Sequence, residues 1–197
     1  MNSKVTFKTV VLLIVLISAF SSYSQKPAII IQPFDNFSTL EAKTVYQKVK
    51  AIYPSTFLNP AIAFPKHSFY KPRNRYRADS IISYLRTKAI KEAVLIGLTN
   101  KDISATKNGI KDWGVMGLGY CPGSACVVST YRLSKNKRSS QFYKIAIHEL
   151  GHTQGLKHCP VNTCFMRDAE GGNPTDEETG FCTSCKTFLV RKGWLLK

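Results

Sequence analysis

Between residues 148 and 158 the chain reads His-Glu-Leu-Gly-His-Thr-Gln-Gly-Leu-Lys-His, and no other stretch restricts the fold as strongly. His148 and His152 are four residues apart, about 40° of rotation and about 6 Å of rise on an α-helix, so both imidazoles can address one ion. Glu149 lies on the adjacent face. Two histidines at this spacing bind Zn²⁺, and a carboxylate between them takes a proton from water activated by the metal. His158 follows ten residues after His148. In an unbroken helix it would stand roughly 15 Å further along, against a Zn–N bond of about 2 Å. The helix must therefore stop, and Gly155 is the residue that can take the left-handed conformation that turns a chain back. The expectation is a helix, a turn at Gly155, and a third ligand, His158, delivered by that turn. His67, the remaining histidine, stands alone in a loop with Pro and Lys neighbours and reads as a solvated side chain.

The cysteines supply a second pattern. Cys159-x₄-Cys164-x₁₇-Cys182-x₂-Cys185 forms two close pairs separated by a loop, near the spacing of four-thiolate zinc sites, which close a tetrahedron and leave no position for water. In an oxidising compartment the same residues can instead form disulfides. Cys121 and Cys126 fall outside the pattern. The Pro122-Gly123 turn between them brings them close, so an exported chain can link them to each other.

The compartment is addressed by the first residues. Lys4 and Lys8 precede an apolar stretch from Val10 to Ile17, continued by Ser18, Ala19 and Phe20, with small residues Ser22 and Ser24 ahead of Gln25. About a dozen apolar residues are too few to span a bilayer, and the layout predicts a signal peptide over 1–24, cleaved before Gln25, with no transmembrane segment left behind. The mature protein is then periplasmic or secreted. Removing Lys4 and Lys8 leaves 26 basic residues against 12 acidic ones, so the basic balance belongs to the folded part. Its Lys and Arg are spread over Lys43–Lys50, Lys71–Arg77, Lys135–Arg138 and Arg191–Lys197 without interleaved aromatics. That distribution gives no stacking platform, so nucleic acid is not an expected partner.

Along residues 25–197 the apolar pattern alternates between periods. Ala28–Ile31 is a buried-strand run between prolines. Ser38 with Glu41 three residues on predicts a helix start, followed by Val45, Val49 and Ile52 up to Pro54. A strand is expected near Ala61–Phe64, a helix over Arg73–Ile90, and strands over Ala93–Leu98, Trp113–Tyr120 and Ala125–Tyr131. The reading is an α/β (α+β) domain with a mixed sheet and no internal repeat. We expect one domain over 25–197, with the helix of His148 closing an N-terminal part (25–155) and a smaller C-terminal part (156–197) carrying His158 and the four cysteines.

The string from His148 to His158, followed by Cys159, Cys164, Met166, Cys182 and Cys185, resembles the archaemetzincin branch of the metzincin metallopeptidases. The resemblance extends loosely to Leu95–Leu98 with Asp102, Trp113–Gly119 and Val127–Leu133. It implies a zincin-like fold with a twisted mixed sheet and an antiparallel edge strand along which an extended peptide lies. It implies two Zn²⁺ per chain, one catalytic on His148, His152 and His158 and one structural on Cys159, Cys164, Cys182 and Cys185. Met166 would be the methionine of the turn beneath the catalytic metal. The expected function is an exported, monomeric zinc peptidase with Glu149 as general base. The alternative is an exported binding module, stabilised by zinc or disulfides, without useful peptidase activity.

Overall fold

The computed structural model describes residues 27–196. The expected signal peptide and its cleavage site before Gln25 lie outside them. Four α-helices are present among the described residues: α1 (Thr39–Ile52), α2 (Ala78–Lys88), α3 (Arg138–Gln154) and α4 (Thr183–Arg191). Strands β1 (Ala28–Pro33), β2 (Thr56–Leu58), β5 (Ala93–Thr99), β8 (Gly117–Gly119) and β9 (Ala125–Ser129) form one sheet in the order β2-β1-β5-β9-β8. The first four run parallel, and β8 pairs antiparallel with β9 at the edge. Strands β3 (Phe69–Tyr70), β4 (Arg75–Arg77), β6 (Ile103–Lys107) and β7 (Ile110–Val115) form a second sheet in the order β3-β4-β6-β7.

Side chains of a strand alternate between faces, and here both faces of the larger sheet are covered. Ile29, Ile31, Val94, Ile96 and Val128 join α1, α3 and α4 in one core, which also holds Met166 and Trp194. Ile30, Leu95, Val127 and Ala125 face the other way, onto Ile81, Ile82 and Leu85 of α2. Gly97 sits where Phe34 and Leu85 come closest to the sheet; a Cβ there would stand 2.8 Å from the Phe34 ring and 2.9 Å from Leu85 Cδ1. The residues after Gly155 share the first core, because Trp194 packs edge-on to Tyr53 and the Leu195 amide donates to the Ile52 carbonyl at 2.7 Å.

The α/β class, the strands expected at Ala28–Ile31 and Ala93–Leu98, the Ser38-capped helix and the antiparallel edge strand agree with the sequence reading, and the structure adds that β1 and β5 pair in parallel. Four details differ. The strand after α1 is Thr56–Leu58, whereas 61–64 makes only the bridge Ile62–Phe34, since Pro60 and Pro65 bound that stretch and cannot donate to a ladder. Helix α2 begins at Ala78 rather than Arg73, because Tyr76 and Arg77 pair with β6 and Arg75 is drawn to two carboxylates. The expected strand over Trp113–Tyr120 is two strands: β7 belongs to the smaller sheet, and the chain changes sheets at Met116, whose carbonyl accepts from Ser129. Finally, β6 and β7 form a hairpin about Asn108-Gly109, with φ of 51° and 79° at the two turn residues.

Candidate active site

Helix α3 ends as the sequence requires. Gly155 has φ 106°, its N–H donates to the carbonyls of Gly151 and His152, and the Leu156 amide bonds back to Gly151 at 3.0 Å. The chain then returns beneath the helix. The Cys159 amide donates to the Met166 carbonyl at 2.8 Å, and the Met166 side chain, fully buried, lies against the helix at Gly151. A Cβ at Gly151 would stand 2.5 Å from Met166 Sδ, so the absent side chain is what lets the methionine approach.

This return brings the three imidazoles together. His148 Nδ1 donates to the Phe165 carbonyl and His152 Nδ1 to the Leu156 carbonyl, each at 2.7 Å. Because a carbonyl only accepts, each Nδ1 carries the proton and each Nε2 is left with a bare lone pair. Those two Nε2 atoms lie 3.0 Å apart. Burial first, then the neighbouring His152, pushes His148 down to about 3, and burial also lowers His152, so neither ring supplies a proton to place between them. Two converging lone pairs require an electrophile. His158 completes the set: one nitrogen from each ring falls within 4.8 Å of the others, and His158 Nδ1 lies 3.1 Å from Asp168 Oδ2. Tetrahedral ligands about 2.05 Å from zinc are about 3.3 Å apart, so the donors fit the ion in type and spacing.

Glu149 is buried, and its carboxylate is pressed against the glycine-rich edge strand. A Cβ at Gly117 would stand 2.5 Å from Glu149 Oε1, and one at Gly119 would stand 3.1 Å from Oε2. Burial raises Glu149 to about 8, opposed in part by a hydrogen bond from the Gly119 backbone. Glu149, the three histidines and residues 113–119, from the end of β7 through β8, line one cavity of about 570 Å³.

The four cysteines named by the spacing also converge. Their sulfurs lie within 4.8 Å of one another, with Cys159 Sγ and Cys182 Sγ 3.7 Å apart. A tetrahedron of 2.3 Å Zn–S bonds places sulfurs about 3.8 Å apart. The amides of Met166 and Cys182 point at Cys164 Sγ, at 3.5 and 3.4 Å, an environment suited to a thiolate. Hydrogen bonding led by the Cys185 backbone draws Cys182 down to about 7, while burial raises Cys164 and Cys185. All six cysteines are free thiols. The expected link between Cys121 and Cys126 is therefore not formed. Cys126 lies in β9, fully buried beside Glu149, whereas exposed Cys121 lies beyond the end of β8 with its Sγ 3.1 Å from the Leu156 carbonyl.

Residues 25–191 match the family profile described as Peptidase family M54. The chain belongs to that family. It is an archaemetzincin-like zinc metallopeptidase, and its substrates are accordingly peptides. The archaemetzincin of Halobacterium salinarum (strain ATCC 29341 / DSM 671 / R1) is 34% identical over 135 residues, 62% of this chain and 75% of that one. The archaemetzincin of Archaeoglobus fulgidus is 32% identical over 146 residues, covering 71% and 84% of the two chains. The crystal structure of the archaemetzincin from Methanopyrus kandleri superposes with a TM-score of 0.73 at 26% identity, covering 87% of this chain and 98% of that one.

Sequence reasoning missed the charged frame of this M54 site. Asp102, after β5, accepts two hydrogen bonds from Arg132, at 2.9 and 3.0 Å, and one from Arg75 at 2.8 Å; Arg75 also reaches Asp112 at 3.1 Å. Arg132 lies so close over Gly114 that any side chain there would collide with it. Asp168 bridges His158 and, at 4.0 Å, Lys107 of the β6–β7 hairpin. These partners are far apart in sequence and carry no local signature. The hairpin itself was marked by Asn108-Gly109, a turn signal the sequence reading passed over.

Proposed function

We propose that this chain is an exported peptidase in which His148, His152 and His158 hold the catalytic zinc and Glu149 is the general base. The observation that carries this reading is the pair of unprotonated Nε2 atoms 3.0 Å apart, facing the cavity that the Glu149 carboxylate also lines. When bound there, zinc supplies Lewis-acid chemistry, polarising a carbonyl and acidifying water.

The protein's own groups do the rest. The main-chain carbonyls of Phe165 and Leu156 fix two imidazoles by their Nδ1 atoms, and Asp168 fixes the third, so all three present Nε2. Glu149 accepts a proton from the attacking water at a carboxylate oxygen and returns it to the leaving amine nitrogen. Burial raises the proton affinity of this carboxylate, which suits it to both halves of the transfer. Strand β8, an edge of the larger sheet, offers backbone groups along which an extended peptide pairs. Cys159, Cys164, Cys182 and Cys185 hold a second, structural zinc that ties the segment after Gly155 to α4.

Glu149→Gln tests the assignment: zinc should remain bound at the catalytic site, with peptide hydrolysis reduced at least about a hundredfold. Full activity in the variant would remove Glu149 from the role. Elemental analysis should give two zinc ions per chain, and thiol titration of the denatured, metal-free protein should find six free thiols. Mass spectrometry of the mature protein should find Gln25 at the N-terminus, and light scattering a monomer. Among the described residues no helix is long and apolar enough to cross a membrane.

A further inference from the structure

We propose that Glu178 sets the substrate preference of this peptidase by pairing with the ammonium or guanidinium group of a lysine or arginine side chain near the scissile bond. The inference rests on the peptidase reading above. It comes from the pairing of the charges that line the cavity. Arg132 is held by Asp102, Arg167 by Glu177, and Lys107 by Asp168, which also bonds His158. Glu149 has the Gly119 backbone. Glu178 is the exception. It is 4% exposed, yet among the described residues nothing donates a hydrogen bond to its carboxylate and no cation stands within 4.0 Å of it. Lys144, one of the cations acting on it at longer range, spends its ammonium on the main-chain carbonyls of Thr175 and Glu178, at 2.5 and 2.6 Å. Buried carboxylates are ordinarily paired, and one left without a partner at a cavity wall calls for a ligand that supplies the cation.

The position fits a side chain. Lys144 precedes His148 by four residues, one turn or about 6 Å along α3. Its bonds to Thr175 and Glu178 dock that segment beside the turn before His148. A peptide held at the three histidines would therefore reach Glu178 with an extended lysine or arginine side chain, its methylenes running past Ile145 of the same cavity wall. Burial raises Glu178 to about 7, against the influence of Lys144 and Arg167, and an incoming cation would restore its ionised form. Even without residues 1–24 the protein keeps 26 basic residues against 12 acidic ones and repels basic peptides at long range, so overall charge cannot imitate this preference.

The test measures binding without turnover, on zinc-loaded Glu149→Gln, with end-blocked fluorescent peptides that carry lysine, Nε-acetyl-lysine or norleucine at each position in turn. At one position lysine should bind at least about tenfold more tightly than either neutral analogue, and Glu149→Gln/Glu178→Gln should bring the three within about twofold. Equal binding of lysyl and acetyl-lysyl peptides at every position would overturn the proposal, as would a lysine preference that survives the second substitution. A norleucyl peptide with a free amino terminus that matches the lysyl peptide would reassign the pairing to the chain terminus and overturn the side-chain assignment. Should Gln at 178 prevent folding, Glu178→Asp keeps the charge, shortens the reach, and should weaken lysyl binding more than norleucyl binding; equal weakening counts against the proposal. Cleavage by the wild-type enzyme is scored separately. Hydrolysis with no basic preference keeps the peptidase reading and overturns Glu178, and lysine-selective binding without hydrolysis does the reverse.

Discussion

His158 Nδ1 stands 3.1 Å from a carboxylate oxygen of Asp168, whereas the other two imidazoles of the site bond to main-chain carbonyls. A charged acceptor makes a ring nitrogen a better donor to a metal, and such partners tune affinity by about 10–100-fold. Asp168→Asn should therefore weaken zinc binding by that factor in a chelator competition. The melting temperature of the metal-free protein should change little, because both side chains are 40–45% exposed. Unchanged zinc affinity would mean that Asp168 does not tune the ring.

Gly117→Ala is a test of placement at the base. The new methyl group would stand 2.5 Å from Glu149 Oε1 and 2.7 Å from its Cγ, so the carboxylate must move. Displacements near 1 Å at a reacting centre cost on the order of a hundredfold. Peptide hydrolysis should fall by about that amount while zinc content stays at the wild-type level, and wild-type turnover would show that the strand yields instead.

Glu178 gives a pH dependence with a definite sign. In the unfolded chain the carboxyl ionises near 4.5, and in the folded protein burial raises it to about 7. Between those values the folded state holds more protons, so this group's contribution favours folding below about pH 4.5 and is lost as pH rises to about 7. Glu178→Gln removes the titration. The stability difference between variant and wild type, from urea denaturation, should move in the variant's favour by about 1–2 kcal/mol from pH 5 to pH 8, allowing for screening through the cavity.

Asp102 joins Arg75 and Arg132 across three chain segments and is 11% exposed. Asp102→Ala leaves Arg132 without its acceptor and Arg75 with Asp112 alone. Removing one partner from such a cluster costs about 3 kcal/mol, so the melting temperature should fall by roughly 6–12 °C in a calorimetric scan. A drop of under about 2 °C would show that water replaces the carboxylate at little cost.

What was legible in the sequence depended on how local each signal is. His148, His152 and Gly155 are read by helix geometry within one segment, and the helix does end at Gly155 with φ 106°. His158 and the cysteines follow from spacing, and the structure gathers both sets. Arg73–Arg77 looked helical because its arginines suit a solvated helix face, but ion pairs with Asp102 and Asp112 and pairing with β6 outweigh that weak propensity. Trp113–Tyr120 reads as one strand, since nothing in a sequence marks the residue at which a chain leaves one sheet for another. Glu178 was invisible for a related reason: its solitude is a property of its neighbours, set by where Lys144 and Arg167 spend their donors.

Gly151 leaves room in the middle of α3 for the sulfur of Met166. A glycine inside a helix gives up about 1 kcal/mol of intrinsic helicity, so the turn bearing His148 and His152 owes its order to what lies under it. What lies under it is the returning segment that also carries His158. The floor and the third imidazole arrive in one movement of the chain, and an ion then meets a socket already assembled instead of gathering its walls one at a time.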